Sequence, residues 1–314
     1  MAPLGAGKVG LFAAAGAGGA GGAGGYFGGG TTGSMVDTVD KFVFSDDSRT
    51  TLGTGLSTAT QQAAGMANAG VAGYFGGGST GSYVDTVDKF DFSDDSRTTL
   101  GTGLSEDKVS MAGVANAGVA GYFGGGSELA ANVDTIDKFD FSDDSRTTLG
   151  TGLSAADRLL AGMANSGTAG YFGGGYAATF VDTVDKLDFS DDSRTTLGTG
   201  LSATTFGLAG MANSGTAGYF GGGRDPSNTT TVDKFDFSDD SRTTLATGLS
   251  AATKYLAAMA NSGTAGYFGG GDASGKVDTV DKFAFSDDGR TTLGTGLSAA
   301  TSYLAGMANS ETLA

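Results

Sequence analysis

The pentapeptide Tyr-Phe-Gly-Gly-Gly at residues 26–30 decides the fold, because it occurs six times in the chain. The other copies begin at Tyr74, Tyr122, Tyr171, Tyr219 and Tyr267. Successive copies lie 48 or 49 residues apart. A constant period of this length is the sequence signature of a repeat architecture. The fold must therefore be built from six equivalent units.

Four short segments with strand character recur in each unit. They read Leu-Ala-Gly-Met-Ala, Ala-Gly-Tyr-Phe, Asp-Thr-Val-Asp-Lys-Phe-Asp-Phe and Arg-Thr-Thr-Leu-Gly. The 59 glycines interrupt every tract that could form a long helix. Four strands in about 48 residues, repeated six times, predict an all-β protein: a six-bladed β-propeller of four-stranded antiparallel blades. A β-solenoid is the alternative.

Two of these segments resemble the kelch family over roughly residues 25–310. Tyr-Phe-Gly-Gly-Gly resembles the kelch double-glycine motif, and Val-Asp-Lys-Phe-Asp resembles the third kelch strand. The resemblance implies a propeller whose innermost strand is Leu-Ala-Gly-Met-Ala. It implies little about function, because this fold hosts many activities. The chain has no tryptophan, so we expect Leu52 and its equivalents, with Arg49 nearby, to pack the outer strand.

The repeat boundaries predict a domain division and a closed ring. Residues 25–314 form the propeller, with units starting near residues 25, 73, 121, 170, 218 and 266. The first unit begins at its second strand, and the last ends with an inner strand at 304–308. We therefore expect the C-terminal strand to return and complete the first blade. Residues 1–24, rich in Gly and Ala, are predicted to be a flexible tether or docking arm; a signal peptide and a degenerate repeat are the alternatives.

Composition excludes several classes of function. The chain lacks Cys, which removes disulfides and thiol chemistry, and lacks His, the usual general base and transition-metal ligand. The net charge of −16 argues against nucleic acid and against anionic lipid as partners. No stretch of 18 or more residues is apolar without glycine, so we predict no membrane insertion.

The six units differ in two stretches. One stretch follows the triple glycine, at residues 31–35, 79–83, 127–132, 176–180, 224–230 and 272–276. The other follows Gly-Leu-Ser, at residues 58–62, 106–110, 155–159, 203–207, 251–255 and 299–303. In an up-and-down blade both loops fall on one rim, whereas the opposite rim carries the nearly invariant Asn-Ser-Gly-Thr and Ser-Asp-Asp-Ser turns. Neutral drift of surface loops would not spare that opposite rim, so we interpret the variable rim as a recognition surface.

Candidate contact residues are the aromatic and charged side chains of the variable stretches. They are Tyr83, Glu128, Tyr176, Phe180, Phe206, Arg224, Asp225, Tyr255, Lys276 and Tyr303. Aromatic residues and Arg are typical interface anchors. Aromatic platforms beside polar loops also suit a sugar, so the expected partner is a glycan or a protein receptor.

The repeated Asp-Asp turns, such as Asp46-Asp47, form a second group of six sites. Clustered carboxylates bind Ca²⁺, although the EF-hand spacing is missing. Ser-Asp-Asp-Ser is also ordinary turn chemistry, and six acidic turns would suit docking to a protein. We predict no cofactor and no metal, with calcium at these turns as the alternative.

The prediction for function is a non-enzymatic recognition module. The inner strands are nearly identical, so we expect no Glu, Arg or Tyr at the central channel in one blade only. Glu106 and Glu128 lie in variable loops without an acid or base partner. The near-perfect repeats resemble modules of bacteriophage tail fibres and related virion or surface proteins, which implies a virion or cell-surface setting among other subunits. A structural spacer is the alternative, and a carbohydrate-acting enzyme is the third hypothesis.

Overall fold

The computed structural model describes residues 23–309, and these residues form six four-stranded antiparallel sheets arranged in a ring. The predicted six-bladed propeller is confirmed. In chain order the strands are β1 (Gly24–Gly28), β2 (Val39–Val43), β3 (Ser48–Thr51), β4 (Ala64–Asn68), β5 (Ala72–Gly76), β6 (Val87–Asp91), β7 (Arg97–Thr99), β8 (Ala112–Asn116), β9 (Ala120–Gly124), β10 (Ile136–Asp140), β11 (Arg146–Thr148), β12 (Ala161–Asn165), β13 (Ala169–Gly173), β14 (Val184–Asp188), β15 (Arg194–Thr196), β16 (Ala209–Asn213), β17 (Ala217–Gly221), β18 (Arg224–Asp225), β19 (Ser227–Asn228), β20 (Val232–Asp236), β21 (Arg242–Thr244), β22 (Ala257–Asn261), β23 (Ala265–Gly269), β24 (Val280–Ala284), β25 (Arg290–Thr292) and β26 (Ala305–Asn309).

Each blade uses the four predicted strands in the predicted order. From inside to outside, blade I is β26-β1-β2-β3, blade II is β4 to β7, blade III is β8 to β11, and blade IV is β12 to β15. Blade V is β16-β17-β20-β21, and blade VI is β22 to β25. Strands β18 and β19 form a small extra ribbon on blade V. Of the predicted arm at residues 1–24, residues 1–22 lie outside the described residues, whereas the Ala23 carbonyl accepts a hydrogen bond from the Phe44 N–H and Gly24 belongs to β1.

The ring is closed by pairing of the last strand with the first. Strand β26 is antiparallel to β1, with Met307 opposite Tyr26. In blade II, Met66 of β4 stands opposite Tyr74 of β5 in the same register. The closing blade is therefore built like a blade made from contiguous sequence, as predicted.

The inner strands surround the axis at a distance that only small residues permit. A Cβ atom added to Gly65 of β4 would lie 2.2 Å from the carbonyl oxygen of Gly306 in β26. The same approach recurs at Gly113, where a Cβ would lie 2.2 Å from the Gly65 oxygen. The small residues of the inner strand therefore set the radius of the ring, as the sequence indicates.

Adjacent blades are joined by a repeated contact that we call the inter-blade triad. In blade II, Tyr74 stacks on Phe141 of blade III, with ring centroids 5.3 Å apart. Its hydroxyl donates to Asp144 Oδ1 at 2.9 Å, and Lys89 of blade II pairs with Asp144 Oδ2 at 2.7 Å. Burial and the bond to Asp144 raise the pKa of Tyr74 above its ordinary value, so the hydroxyl stays a donor.

The triad occurs at all six interfaces, including the one between blades VI and I. The members are Tyr26, Lys41 and Asp95; Tyr74, Lys89 and Asp144; Tyr122, Lys138 and Asp192; Tyr171, Lys186 and Asp240; Tyr219, Lys234 and Asp288; and Tyr267, Lys282 and Asp47. The Asp is always the second residue of the Asp-Asp turn. The six-fold recurrence of that turn therefore has a structural cause.

A buried carboxylate anchors each connecting loop to the next blade. Asp88 Oδ2 in blade II accepts hydrogen bonds from the backbone N–H and hydroxyl of Ser57, at 2.7 and 2.8 Å. Its Oδ1 accepts from the Thr99 hydroxyl at 2.6 Å and lies 3.4 Å from Arg97 Nη1. These hydrogen bonds from Ser57 and Thr99 to Asp88, which we call the polar ladder, hold the outer strand and the connecting loop to the blade. Leu52, expected to pack this strand, is half-buried against the core between blades I and II.

Ring closure predicts that the chain cannot fold without β26. Deleting residues 303–314 removes the inner strand of blade I and exposes the edge of β1, so we expect aggregation or loss of the cooperative unfolding transition. Deleting only residues 310–314 leaves β26 intact and serves as the control. Thermal melts followed by far-ultraviolet circular dichroism compare the two. An unchanged melting temperature of the longer deletion would contradict the role of β26.

The inter-blade triad predicts a measurable cost for losing a single hydroxyl. Tyr122→Phe keeps the stacked ring but removes the hydrogen bond to Asp192. Hydrogen bonds to charged groups contribute about 1.5–3 kcal/mol, and Asp192 is partly exposed, so we expect a loss of roughly 1.5 kcal/mol in the free energy of unfolding. Tyr83→Phe on the half-exposed rim is the control, with an expected change within about 0.5 kcal/mol. Urea denaturation measures both; equal values for the two variants would disprove the contribution of the triad.

Candidate binding face

The two variable stretches lie on one face and pair with each other. Gln61, in the loop that enters blade II, forms a β-bridge with Ser79, which follows the triple glycine of the same blade. Ser79 in turn bridges to Tyr83 at the end of its own stretch. Equivalent bridges occur in the other blades, for example between Arg158 and Tyr176. The prediction that both stretches share one rim is confirmed, and we call this rim the variable face.

At the propeller axis the connecting loops join in a closed ring of backbone hydrogen bonds. Each loop donates one N–H to the carbonyl of the preceding loop, at 2.6–2.9 Å, and Gln62 N–H closes the circle on the carbonyl of Tyr303. The residues of this axial ring are Gln62, Ser110, Leu159, Gly207, Tyr255 and Tyr303. All six have left-handed backbones, with φ between 57° and 66°. Their side chains vary while the backbone repeats.

The axial ring lines a depression of about 90 Å³ at the centre of the variable face. Its wall combines an aromatic side, formed by Tyr255 and Tyr303, with a polar side formed by Gln62 and Ser110. The expectation that no Glu, Arg or Tyr stands at the channel in one blade only is not contradicted at this mouth, where Tyr255 and Tyr303 come from two blades. The inner strands are nearly uniform, as the sequence indicates, but the loops reach the axis and carry different side chains.

Five aromatic rings from three consecutive connecting loops and one neighbouring hairpin form a continuous line that we call the aromatic arc. Its members, in spatial order, are Tyr176, Phe180, Phe206, Tyr255 and Tyr303. Successive ring centroids lie 5.7, 4.6, 6.1 and 3.9 Å apart. Aromatic pairs at these separations stabilise one another beyond simple burial. The arc runs from the rim of blade IV to the central depression and contains half of the ten predicted contact residues.

Two cations flank the aromatic arc. The Arg158 guanidinium lies 5.3 Å from the centre of the Tyr176 ring, and Lys254 Nζ lies 4.8 Å from the centre of the Tyr255 ring. Burial, together with the neighbouring Tyr255 side chain, raises the pKa of the Tyr303 phenol above its ordinary value. The arc therefore presents neutral rings next to positive charge in a strongly acidic protein. Neither cation was among the predicted residues, although both fall in the variable stretches.

Gly207 makes room for the aromatic arc at the axis. A Cβ atom at this position would lie 2.7 Å from Cδ1 of Tyr255. The Tyr255 ring thus covers the Gly207 backbone, which has φ of 66°. Sequence reasoning did not identify Gly207, although it is the one glycine among the six residues of the axial ring.

The remaining predicted residues lie on the variable face but outside the aromatic arc. Arg224 is exposed, and its Nε donates to the Pro226 carbonyl at 2.8 Å. Asp225 accepts from the Thr204 hydroxyl at 2.8 Å. Tyr83, Glu128 and Lys276 occupy the rims of blades II, III and VI. The structure therefore brings five predicted rings together, pairs the Arg224 backbone with that of Phe206, and places Tyr83, Glu128 and Lys276 elsewhere on the face.

The opposite face carries the Asp-Asp turns in structural roles. The first Asp of each pair accepts from a backbone N–H two residues on, as Asp94 does from Ser96 at 2.9 Å. These hydrogen bonds hold the pKa of Asp94 below its usual value. The second Asp belongs to the inter-blade triad. Within residues 23–309, no group of three or more carboxylates is placed to hold a metal ion.

No family model and no curated protein matches this chain. Within the described residues, no helix has the length and apolar character needed to cross a membrane. The fold and its variable face are therefore the grounds for a functional proposal.

The contact between Gly207 and Tyr255 predicts the effect of a small substitution. Gly207→Ser introduces a residue that the same backbone conformation accepts at Ser110, so we expect the fold to be kept. The new Cβ must displace the Tyr255 ring and disturb its packing in the arc. Near-ultraviolet circular dichroism should change while the far-ultraviolet spectrum does not. Ser110→Gly, on the side of the axial ring opposite Tyr255, is the control; identical near-ultraviolet changes in both variants would contradict the packing of Tyr255 on Gly207.

Proposed function

We propose that this protein is a non-enzymatic recognition module that binds a glycan or a protein receptor through the aromatic arc of its variable face. The observation that supports the proposal is the concentration of five aromatic side chains in one continuous line on the face where the repeats differ. A propeller is compatible with a binding module, because it holds variable loops on a rigid frame.

The chemistry of the arc favours a ligand with both apolar and polar surface. The partly exposed rings of Tyr176, Phe180, Tyr255 and Tyr303 offer apolar surface around the buried Phe206. The phenols of Tyr255 and Tyr303 add hydrogen-bonding groups beside the central depression. Arg158 and Lys254 add positive charge at two points along the line. Aromatic residues and Arg are the residue types that contribute most at binding surfaces. A sugar ring stacked on the arc, or an extended segment of a receptor, would use these groups.

The proposed setting is a virion or a cell surface, where the module would sit among other subunits. This part rests on the resemblance of near-identical tandem repeats to phage tail-fibre and surface modules. We propose no catalytic role because of the residue types in the aromatic arc and the depression. The arc and the depression combine Tyr, Phe, Gln, Ser and Leu side chains, which are suited to contact.

A glycan-array and whole-cell binding screen of the full chain tests the proposal, and the repeats themselves supply conservative variants. In the arc variant, four of the five aromatic residues are replaced by their counterparts in blade II or III, and Tyr176 is kept: Phe180→Asn, Phe206→Gln, Tyr255→Gln and Tyr303→Ser. These replacements are residues that the same backbone positions already accept at 132, 61, 62 and 110. We expect affinity to fall at least tenfold.

The control for the arc variant changes the other half of the same face. Tyr83→Asn and Val109→Gln alter the variable stretches around blades II and III, and we expect binding to be kept. Thermal melts verify that both variants are folded. Full binding by a folded arc variant would exclude the arc as the site. No binding by folded wild-type chain would replace the proposal with the alternative, a structural spacer whose variable loops only pack against neighbouring subunits.

A further inference from the structure

A small pocket recurs between the connecting loop and the blade that it enters. In blades II, IV and V, equivalent pockets of about 90, 30 and 60 Å³ extend to the buried carboxylates Asp88, Asp185 and Asp233. A threonine hydroxyl two residues before each carboxylate also lines the pocket, as Thr183 does in blade IV. Each pocket is large enough for a single water or ion.

In blade III the same place is filled by the ammonium group of a lysine. Lys108 Nζ donates to the Thr135 hydroxyl at 2.8 Å and to Asp137 Oδ2 at 3.0 Å. Lys108 is 1% exposed and Asp137 is fully buried. Buried charges are tolerated when they are paired and hydrogen-bonded, and this pair satisfies both conditions. Blade III thus shows that the pocket accepts a cation held by oxygen atoms.

Blade IV has the opposite charge at the position of Lys108. Asp157 replaces the lysine and lines the pocket together with Thr183 and Asp185. Asp157 is 7% exposed, and its Oδ1 is buried without a hydrogen-bond partner among the described residues. The other four blades place a threonine here, and its hydroxyl bonds to a nearby carbonyl, as Thr253 does to Ala251. Only in blade IV does the pocket combine two buried carboxylates.

We propose that the pocket between Asp157 and Asp185 binds one small metal cation through oxygen ligands, in the place that the Lys108 ammonium occupies in blade III. The carboxylates of Asp157 and Asp185 and the hydroxyls of Thr183 and Ser154 line the site. Carboxylate and hydroxyl oxygens are the donors that hard cations prefer. The inference is independent of the proposed recognition function.

The side chains around the pocket leave a net negative charge, which a bound cation would offset. Asp185 Oδ1 lies 3.5 Å from Arg194 Nη1, and its Oδ2 accepts from Ser154. Arg158, which follows Asp157, lies over the Tyr176 ring. Asp157 therefore has no counter-charge comparable to Lys108. Burial and the nearby Asp185 raise the pKa of Asp157 to about 7, so a proton is the competing occupant.

Cation-dependent melting of the full chain tests the site. Chain freed of metal with a chelator is melted at pH 8 with CaCl₂, MgCl₂, NaCl or KCl, each matched in ionic strength with choline chloride. We expect a saturable rise in melting temperature with Ca²⁺ or Na⁺, because a ligand bound only by the folded state stabilises it by mass action. Titration calorimetry should give one ion per chain. The ion that gives the full rise in melting temperature at the lower concentration shows whether the site is divalent or monovalent.

Two substitutions taken from the neighbouring blades locate the effect. Asp157→Thr introduces the residue of four other blades and should abolish the saturable rise. Asp157→Lys introduces the ammonium of blade III and should melt higher than metal-free wild type at pH 8, without responding to added cations. Retention of the full rise in Asp157→Thr, or binding of six ions per chain, would place the cations elsewhere, for example at the Asp-Asp turns, and would overturn the proposal.

A pH series separates a metal ion from a proton. The folded state holds the Asp157 proton more tightly than the unfolded state, so this proton stabilises the fold at low pH and its contribution is lost as the pH rises toward about 7. Metal-free wild type should therefore fall in melting temperature relative to Asp157→Thr between about pH 5 and 8. Added cation should reverse this fall. A fall that none of the four salts reverses would show that only the proton occupies the site.

Discussion

The inter-blade triad is the interaction on which the rest of the architecture depends. At each of six interfaces the tyrosine donates a hydrogen bond to the aspartate, the lysine forms an ion pair with it, and the tyrosine ring stacks on a phenylalanine of the next blade. The aspartate takes part because its turn adopts a left-handed backbone, with φ of 58° at Asp144. Since the geometry is the same at every interface, including the one that joins the chain ends, the ring closes without an irregular blade.

Polar groups account for much of the constancy of the repeats. The triads fix the face opposite the variable face, while the buried carboxylates equivalent to Asp88 hold the connecting loops from inside. A buried carboxylate without its donors would carry a large desolvation cost, so the Asp, the Ser and the Thr of this ladder must be kept together. The constraint ends at the serine that begins each connecting loop, such as Ser57. The loop residues that follow this serine are free to differ.

The sequence predicts the frame well and the site only in part. The sequence predicts the repeat period, the order of the strands, the closure of the ring and the shared rim. These features follow from patterns that all six copies repeat, so an interpretation of one copy can be checked against the other five. The aromatic arc does not follow in the same way, because Phe206 and Tyr255 belong to different blades and their contact depends on how far the loops reach toward the axis. Gly207 and Lys108 were missed for a related reason. Their roles arise from the neighbouring blade and not from their own repeat.

The axial ring explains how a uniform frame carries a varied surface. Its six residues keep one backbone conformation because their N–H and C=O groups bond to the adjacent loops, and five of them hold it without being glycine. A left-handed conformation costs a non-glycine residue about 1–2 kcal/mol. That cost does not depend strongly on whether the side chain is Gln, Ser or Tyr. The backbone conformation at these positions is therefore costly, but it accepts many side chains. The side chains at the centre of the face can change while the hydrogen-bonded ring stays closed.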